Sequence, residues 1–89
     1  MVYIHQRVHE RHPELSDVDV ISAWNNQYRS TMRETDRGIR FVAVGFDPNS
    51  RHVEMVAVEL EGGHWLIYHA MTPPSSKTLD ELGIERRRR

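Results

Sequence analysis

The sequence contains no cysteine, which excludes disulfide bonds, thiolate metal sites and a cysteine nucleophile. No apolar run comes near the roughly 20 residues that a membrane-spanning helix needs, and we expect no secretory leader. A Gly-rich phosphate-binding loop, a Ser-His-Asp order and an HExxH zinc motif are missing too. We therefore expect a soluble, cytoplasmic protein, and we predict no metal ion or other cofactor.

Charge is unevenly distributed along the chain. Over 89 residues the formal net charge is −1, and it becomes −5 when the four arginines at positions 86–89 are left out. This length predicts a single α+β domain over residues 1–85, followed by a basic, disordered tail over residues 86–89. The acidic body differs from the basic profile of a typical nucleic-acid-binding domain. So small a domain also favours a homodimer or a complex with a protein partner.

Three helices are predicted from spacing and capping signals. Ile4 and Val8 lie four residues apart, which favours a first helix over residues 5–12. Ser16 or Asp17 is a candidate N-cap for a second helix whose apolar residues follow helical spacing. Gly83 is a candidate terminator for a short C-terminal helix. The second and third helices are expected over residues 17–28 and 77–82.

Apolar, β-branched runs predict a sheet. Strands are expected over residues 39–46, 51–60 and 64–70, with residues 29–35 as a candidate fourth strand. Residues 47–50 have turn composition, and residues 2–4 fit either an edge strand or the start of a helix. The predicted fold is α+β, with two N-terminal helices packed on a three- or four-stranded antiparallel meander and a short C-terminal helix.

Four short segments carry a family pattern. They are Arg11-His12 followed by Ser16 and Val20, Arg40 followed by Gly45, Ser50-Arg51 followed by Val56, and the strand LIYHAM with Ala70. In this order they resemble the RelE superfamily of small toxins, in particular its BrnT-like branch. The resemblance covers residues 3–77 and implies a RelE-like fold, RNA cleavage and an antitoxin protein as partner. Met71 departs from the pattern, because the BrnT-like branch has a basic residue there.

The resemblance implies attack of an RNA 2′-hydroxyl on the adjacent phosphate. That reaction needs a proton acceptor, a proton donor and cations that stabilise the charge on the phosphate. We predict His69, Arg11 and His12 as catalytic residues. The predicted RNA-binding residues are His5, Arg7, Arg40, Lys77, Arg86 and Arg87.

His69 has two competing interpretations. Histidine titrates in the range that proton transfer requires, and a strand end beside a Pro-rich loop suits a functional group. Alternation along HWLIYHA, however, puts Trp65, Ile67 and His69 on one face of the strand. If that face packs on the helices, His69 is a half-buried structural residue bonded to the backbone.

A second cluster of histidines lies on the first predicted helix. His5, His9 and His12 have helical spacing and share one face. They could form a solvent-facing polar surface, bind zinc with a further ligand, or contact phosphate beside arginine.

Two functions therefore compete. The first is a toxin of a type II toxin–antitoxin pair that acts as a metal-independent endoribonuclease. The second is a non-catalytic binding or structural member of the same fold that acts through protein–protein interaction. The acidic body and Met71 motivate the second.

Overall fold

The structure is a computed structural model that describes residues 1–85. Its helices are α1 (Gln6–Arg11), α2 (Asp17–Asn25) and α3 (Ser76–Glu81). Its strands are β1 (Val2–Ile4), β2 (Gln27–Thr35), β3 (Gly38–Phe46), β4 (His52–Leu60) and β5 (His64–Met71). The tail over residues 86–89, with the predicted Arg86 and Arg87 contacts, lies outside the described residues.

The strands form one mixed sheet in the order β1-β5-β4-β3-β2. The predicted α+β class is confirmed, and β2 to β5 form an antiparallel meander as predicted, but the predicted sheet is one strand short. There are five strands, and β1 pairs with β5 in parallel. The amide of His5 donates to the carbonyl of Ile67 at 2.8 Å, and the amide of Trp65 donates to that of Met1 at 3.0 Å. A three-residue strand has too little periodicity to be distinguished from a helix start.

Helix α2 begins where the sequence predicts and ends earlier. The Ser16 hydroxyl accepts from the Asp19 amide at 3.2 Å, and the Asp19 carboxylate accepts from the Ser16 amide at 2.9 Å. This reciprocal capping box satisfies amides that the first helical turn leaves unpaired. The helix ends at Asn25 instead of residue 28, because Gln27 already pairs with Gly45 in the sheet.

The main core lies between one face of the sheet and helices α1 and α2. Val8 of α1 and Val20 and Ala23 of α2 are buried in it with Ala43 and Met55. Helix α2 lies so close to β3 that a methyl group on Gly45 would come within 1.9 Å of the Ala23 carbonyl oxygen. None of the helices within residues 1–85 is long and apolar enough to span a membrane.

The opposite face of the sheet positions the candidate site. Alternation along β4 sends Val53, Met55 and Ala57 into the main core, so Glu54 and Val56 point to the other side. Helix α3 covers part of that side. Helix α1 contacts β5 and thereby flanks the same region.

Candidate functional site

A pocket of about 310 Å³ opens between α1, α3 and the second face of the sheet. We call it the His69 pocket. The three predicted catalytic residues, His69, Arg11 and His12, all line it. Arg7 and Lys77, two of the predicted RNA-binding residues, line it as well. Residues from both ends of the chain therefore converge at one place.

A β-bulge turns His69 toward this pocket. Val56 pairs with His69, but the next residue, Ala57, pairs with Ile67, so Tyr68 is an extra residue in β5. A bulge of this kind re-aims the side chains that follow it. Strict alternation, which puts His69 on the Ile67 face, is therefore wrong: Ile67 is fully buried in the main core, whereas the His69 side chain is 31% exposed.

The His69 ring is bonded to a buried carboxylate and not to the backbone. Its Nε2 atom lies 2.7 Å from Oε2 of Glu54, a residue that is only 4% exposed. The other carboxylate oxygen of Glu54 accepts from the amide of Ser75 at 2.8 Å and from its hydroxyl at 3.0 Å. Glu54 thus joins β5 to the N-terminus of α3.

These hydrogen bonds determine the charge of Glu54. Burial raises the pKa of its carboxyl, but hydrogen bonds from His69, Ser75 and Thr78 outweigh burial and lower the pKa to about 2. Glu54 is therefore ionised at neutral pH and can only accept. It follows that Nε2 of His69 carries the proton of the shared hydrogen bond, and a neutral His69 has its lone pair on Nδ1.

His12 lies beside His69 because α1 stops there. His12 is the C-cap of α1, and Pro13 follows it. The two imidazole rings are perpendicular, with centroids 6.3 Å apart. The Nδ1 atom of His12 lies 3.3 Å from the Glu14 carboxylate. Two imidazole side chains therefore face one pocket.

The cations of the pocket are of two kinds. Within residues 1–85, Arg7, Arg11 and Lys77 form no ion pair, so their charge remains available to a ligand. Arg33 is instead held by Glu81, which accepts from Nε at 3.0 Å and from Nη2 at 2.5 Å. That pair ties α3 to β2.

A second cavity, of about 650 Å³, adjoins the first along Arg7, Arg33 and Tyr68. We call it the Arg40 groove. Two predicted RNA-binding residues, His5 and Arg40, line this groove and not the His69 pocket. All seven predicted site residues within the described part of the chain thus lie along two adjoining cavities.

Basic residues are concentrated at these cavities. Residues 1–85 contain eight lysines or arginines and thirteen acidic residues. Six of the eight basic residues line the two cavities, whereas only Glu34, Asp36 and Glu54 of the thirteen acidic residues do. Residues 1–85 are therefore acidic overall, but the surface around the two cavities is locally basic. Such a surface suits an anionic ligand.

The three N-terminal histidines do not form a common stripe. His5 precedes α1 as its N-cap, where Nδ1 accepts from the Arg7 amide at 3.0 Å. His9 bridges the Leu15 carbonyl at 2.9 Å and the Asp17 carboxylate at 2.5 Å. His12 faces the pocket. In residues 1–85, no three histidine or carboxylate side chains lie close enough together to hold a metal ion.

The sequence analysis did not identify Glu54, Arg33 or Tyr68 as members of the site. Glu54 gives a signal, because it is a single acidic residue inside the apolar run of β4. A charge at such a position is costly unless it is paired. Arg33 and Tyr68 give no comparable signal, since their positions depend on α3 and on the bulge.

Comparison of the chain with protein families, curated proteins and solved structures gives no match.

Proposed function

We propose that this protein is a RelE/BrnT-like, metal-independent endoribonuclease and the toxin of a type II toxin–antitoxin pair. The observation that carries the proposal is the His69–Glu54 pair, 2.7 Å apart, in a pocket with three cations that have no ion-pair partner within residues 1–85. An oriented imidazole beside unpaired cations has the groups that phosphodiester cleavage by a 2′-hydroxyl requires.

The proposed reaction begins with removal of the 2′-hydroxyl proton. Because Glu54 holds the Nε2 proton, Nδ1 of His69 accepts the proton of the attacking hydroxyl. A bond forms between the 2′-oxygen and phosphorus, and the bond from phosphorus to the 5′-oxygen breaks. Protonated His12 donates a proton to the departing 5′-oxygen. The products are a 2′,3′-cyclic phosphate and a 5′-hydroxyl end.

The cations have a separate role in this proposal. Negative charge develops on the non-bridging phosphate oxygens as the 2′-oxygen attacks. Arg7 and Arg11 lie one helical turn apart on α1, and Lys77 approaches from α3. Their guanidinium and ammonium groups bind the phosphate from two sides and stabilise that charge.

Cleavage of single-stranded RNA by the purified protein in a chelating buffer tests the proposal. We expect His69→Ala to lower the cleavage rate by about 10²–10⁴-fold, and Arg11→Ala to weaken cleavage as well. His64→Ala and Arg29→Ala are matched controls, because neither residue lines either cavity. Products with 2′,3′-cyclic phosphate ends support the mechanism. Full cleavage by His69→Ala contradicts it.

Expression in a bacterial host tests the toxin assignment separately. We expect wild-type protein to arrest growth, His69→Ala to permit it, and co-expression of a cognate antitoxin to restore it.

A non-catalytic protein-binding role is the second candidate, and Met71 favours it. This half-buried residue pairs with Glu54 in the sheet and replaces the basic residue of the BrnT-like pattern. Absence of RNA cleavage and of growth arrest by the wild type would support this candidate over the first.

A further inference from the structure

The Arg40 groove has the features of a nucleotide-binding surface distinct from the His69 pocket. Its floor is formed by the half-buried side chains of Val58, Leu66 and Tyr68 on the open face of the sheet. Four arginines and two carboxylates line it. An apolar sheet surface edged by cations offers stacking to a base and charge to its phosphate.

Arg40 and Tyr68 lie beside each other in the groove. The Arg40 guanidinium carbon lies 5.9 Å from the centroid of the Tyr68 ring. One of its nitrogens, Nη1, also donates to the carbonyl oxygen of Arg37 at 3.3 Å. Within residues 1–85, Arg40 has no carboxylate partner. The guanidinium is therefore fixed in position while its charge stays available.

We infer that the Arg40 groove binds the nucleotide adjacent to the cleaved one in a single-stranded RNA, with its base against the Tyr68–Arg40 pair. The inference rests on the proposed nuclease function, which places the cleaved phosphate in the His69 pocket. Arg7, Arg33 and Tyr68 line both cavities, so the cavities adjoin and one strand can contact both. A base stacks on a tyrosine ring or on a guanidinium plane.

Binding of non-cleavable 2′-O-methyl oligonucleotides tests this inference without requiring cleavage. A mononucleotide, a dinucleotide and a tetranucleotide are titrated into the full chain, and binding is followed by calorimetry. We expect the dinucleotide to bind at least about fivefold more tightly than the mononucleotide, because a second base is stacked. Arg40→Ala and Tyr68→Ala should each abolish this gain in affinity of the dinucleotide over the mononucleotide.

Matched variants separate recognition from folding. Tyr68→Phe keeps the ring and should retain the gain. Arg29→Ala removes an exposed arginine of β2 that lines neither cavity and should leave all affinities unchanged. Arg40→Ala should also lower the slope of log dinucleotide affinity against log salt concentration by about 0.7.

The outcomes distinguish this inference from the nuclease proposal. Equal affinity for all three oligonucleotides, or equal behaviour of Arg40→Ala and Arg29→Ala, overturns the groove assignment even if His69-dependent cleavage is observed. A dinucleotide gain that Arg40→Ala abolishes upholds the assignment even if no cleavage occurs. Binding of a polyglutamate peptide that depends on Arg40, without oligonucleotide binding, overturns the assignment in favour of an acidic protein partner.

Discussion

The two faces of the sheet hold their helices by different forces. On one face, α2 packs through Val20 and Ala23, which are fully buried against the sheet. On the other, α3 is attached by the hydrogen bonds of its N-terminus to Glu54 and by the Arg33–Glu81 ion pair. Apolar packing depends little on pH or moderate salt, whereas a carboxylate network depends on both.

The two faces therefore contribute to stability and to function in different ways. A domain of 89 residues needs one dry core to remain folded, and the α2 face provides it. The second face then carries ionised groups whose geometry is fixed by mutual hydrogen bonds. Substitutions on the first face should therefore lower stability at every pH, whereas those on the second should change ligand binding and the pH dependence of stability.

The largest expected effect is on the packed face. Gly45→Ala places a methyl group 1.9 Å from the Ala23 carbonyl oxygen, so α2 must move away from β3. We expect the free energy of unfolding to fall by about 3 kcal/mol or more, as for other overpacked cores. Urea denaturation followed by circular dichroism measures it.

Gly63→Ala is the control for this substitution. A methyl group there meets no atom within 4 Å, and only the positive φ of 78° is unfavourable. The expected loss is about 1 kcal/mol. Equal destabilisation by the two substitutions would show that α2 does not pack tightly on β3.

The second largest expected effect is a loss of folding stability at acid pH, and it arises on the face of the sheet that carries α3. The pKa of Glu54 is lowered from 4.5 to about 2 in the folded protein. Its ionised form therefore stabilises the fold above pH 4.5, and this contribution is lost as the pH falls toward 2. The loss amounts to roughly 3 kcal/mol for Glu54 alone, since one pKa unit corresponds to about 1.4 kcal/mol.

Urea denaturation between neutral and acid pH measures this loss. Glu54→Gln should reduce the fall in the free energy of unfolding at acid pH, because glutamine cannot ionise. Glu59→Gln is the matched control, as it removes an exposed glutamate of the same strand. The assignment fails if both variants keep the pH dependence of the wild type.

Local signals in the sequence predicted much of this fold. Ser16 caps α2, and the turn at Asp47 forms with the amide of Ser50 donating to its carbonyl at 3.0 Å. Both features depend only on neighbouring residues. The capping and turn chemistry of short polar residues is therefore readable without knowledge of the rest of the chain.

The remaining features depend on contacts between distant parts of the chain. The parallel pairing of β1 needs β5, which lies about sixty residues later. The extra residue Tyr68 in β5 is defined only against β4, and it reverses the face on which His69 lies. His69, Arg11 and Lys77 line one pocket although they are far apart in the sequence, and the residue that holds His69, Glu54, could not be identified from the sequence.

The smallest expected effect tests how α3 is attached. Arg33 and Glu81 are each about one quarter exposed and form two hydrogen bonds, so solvent screens part of their attraction. In a double-mutant cycle with Arg33→Met and Glu81→Gln, we expect a coupling energy of about 1 kcal/mol that decreases at high salt. A control cycle with Val20→Ala and Ala43→Gly, two residues of the apolar core formed by α2 and β3, should show no such salt dependence. Coupling of the Arg33–Glu81 pair that persists unchanged in molar salt would mean that α3, like α2, is held by packing, and that the two faces do not differ in kind.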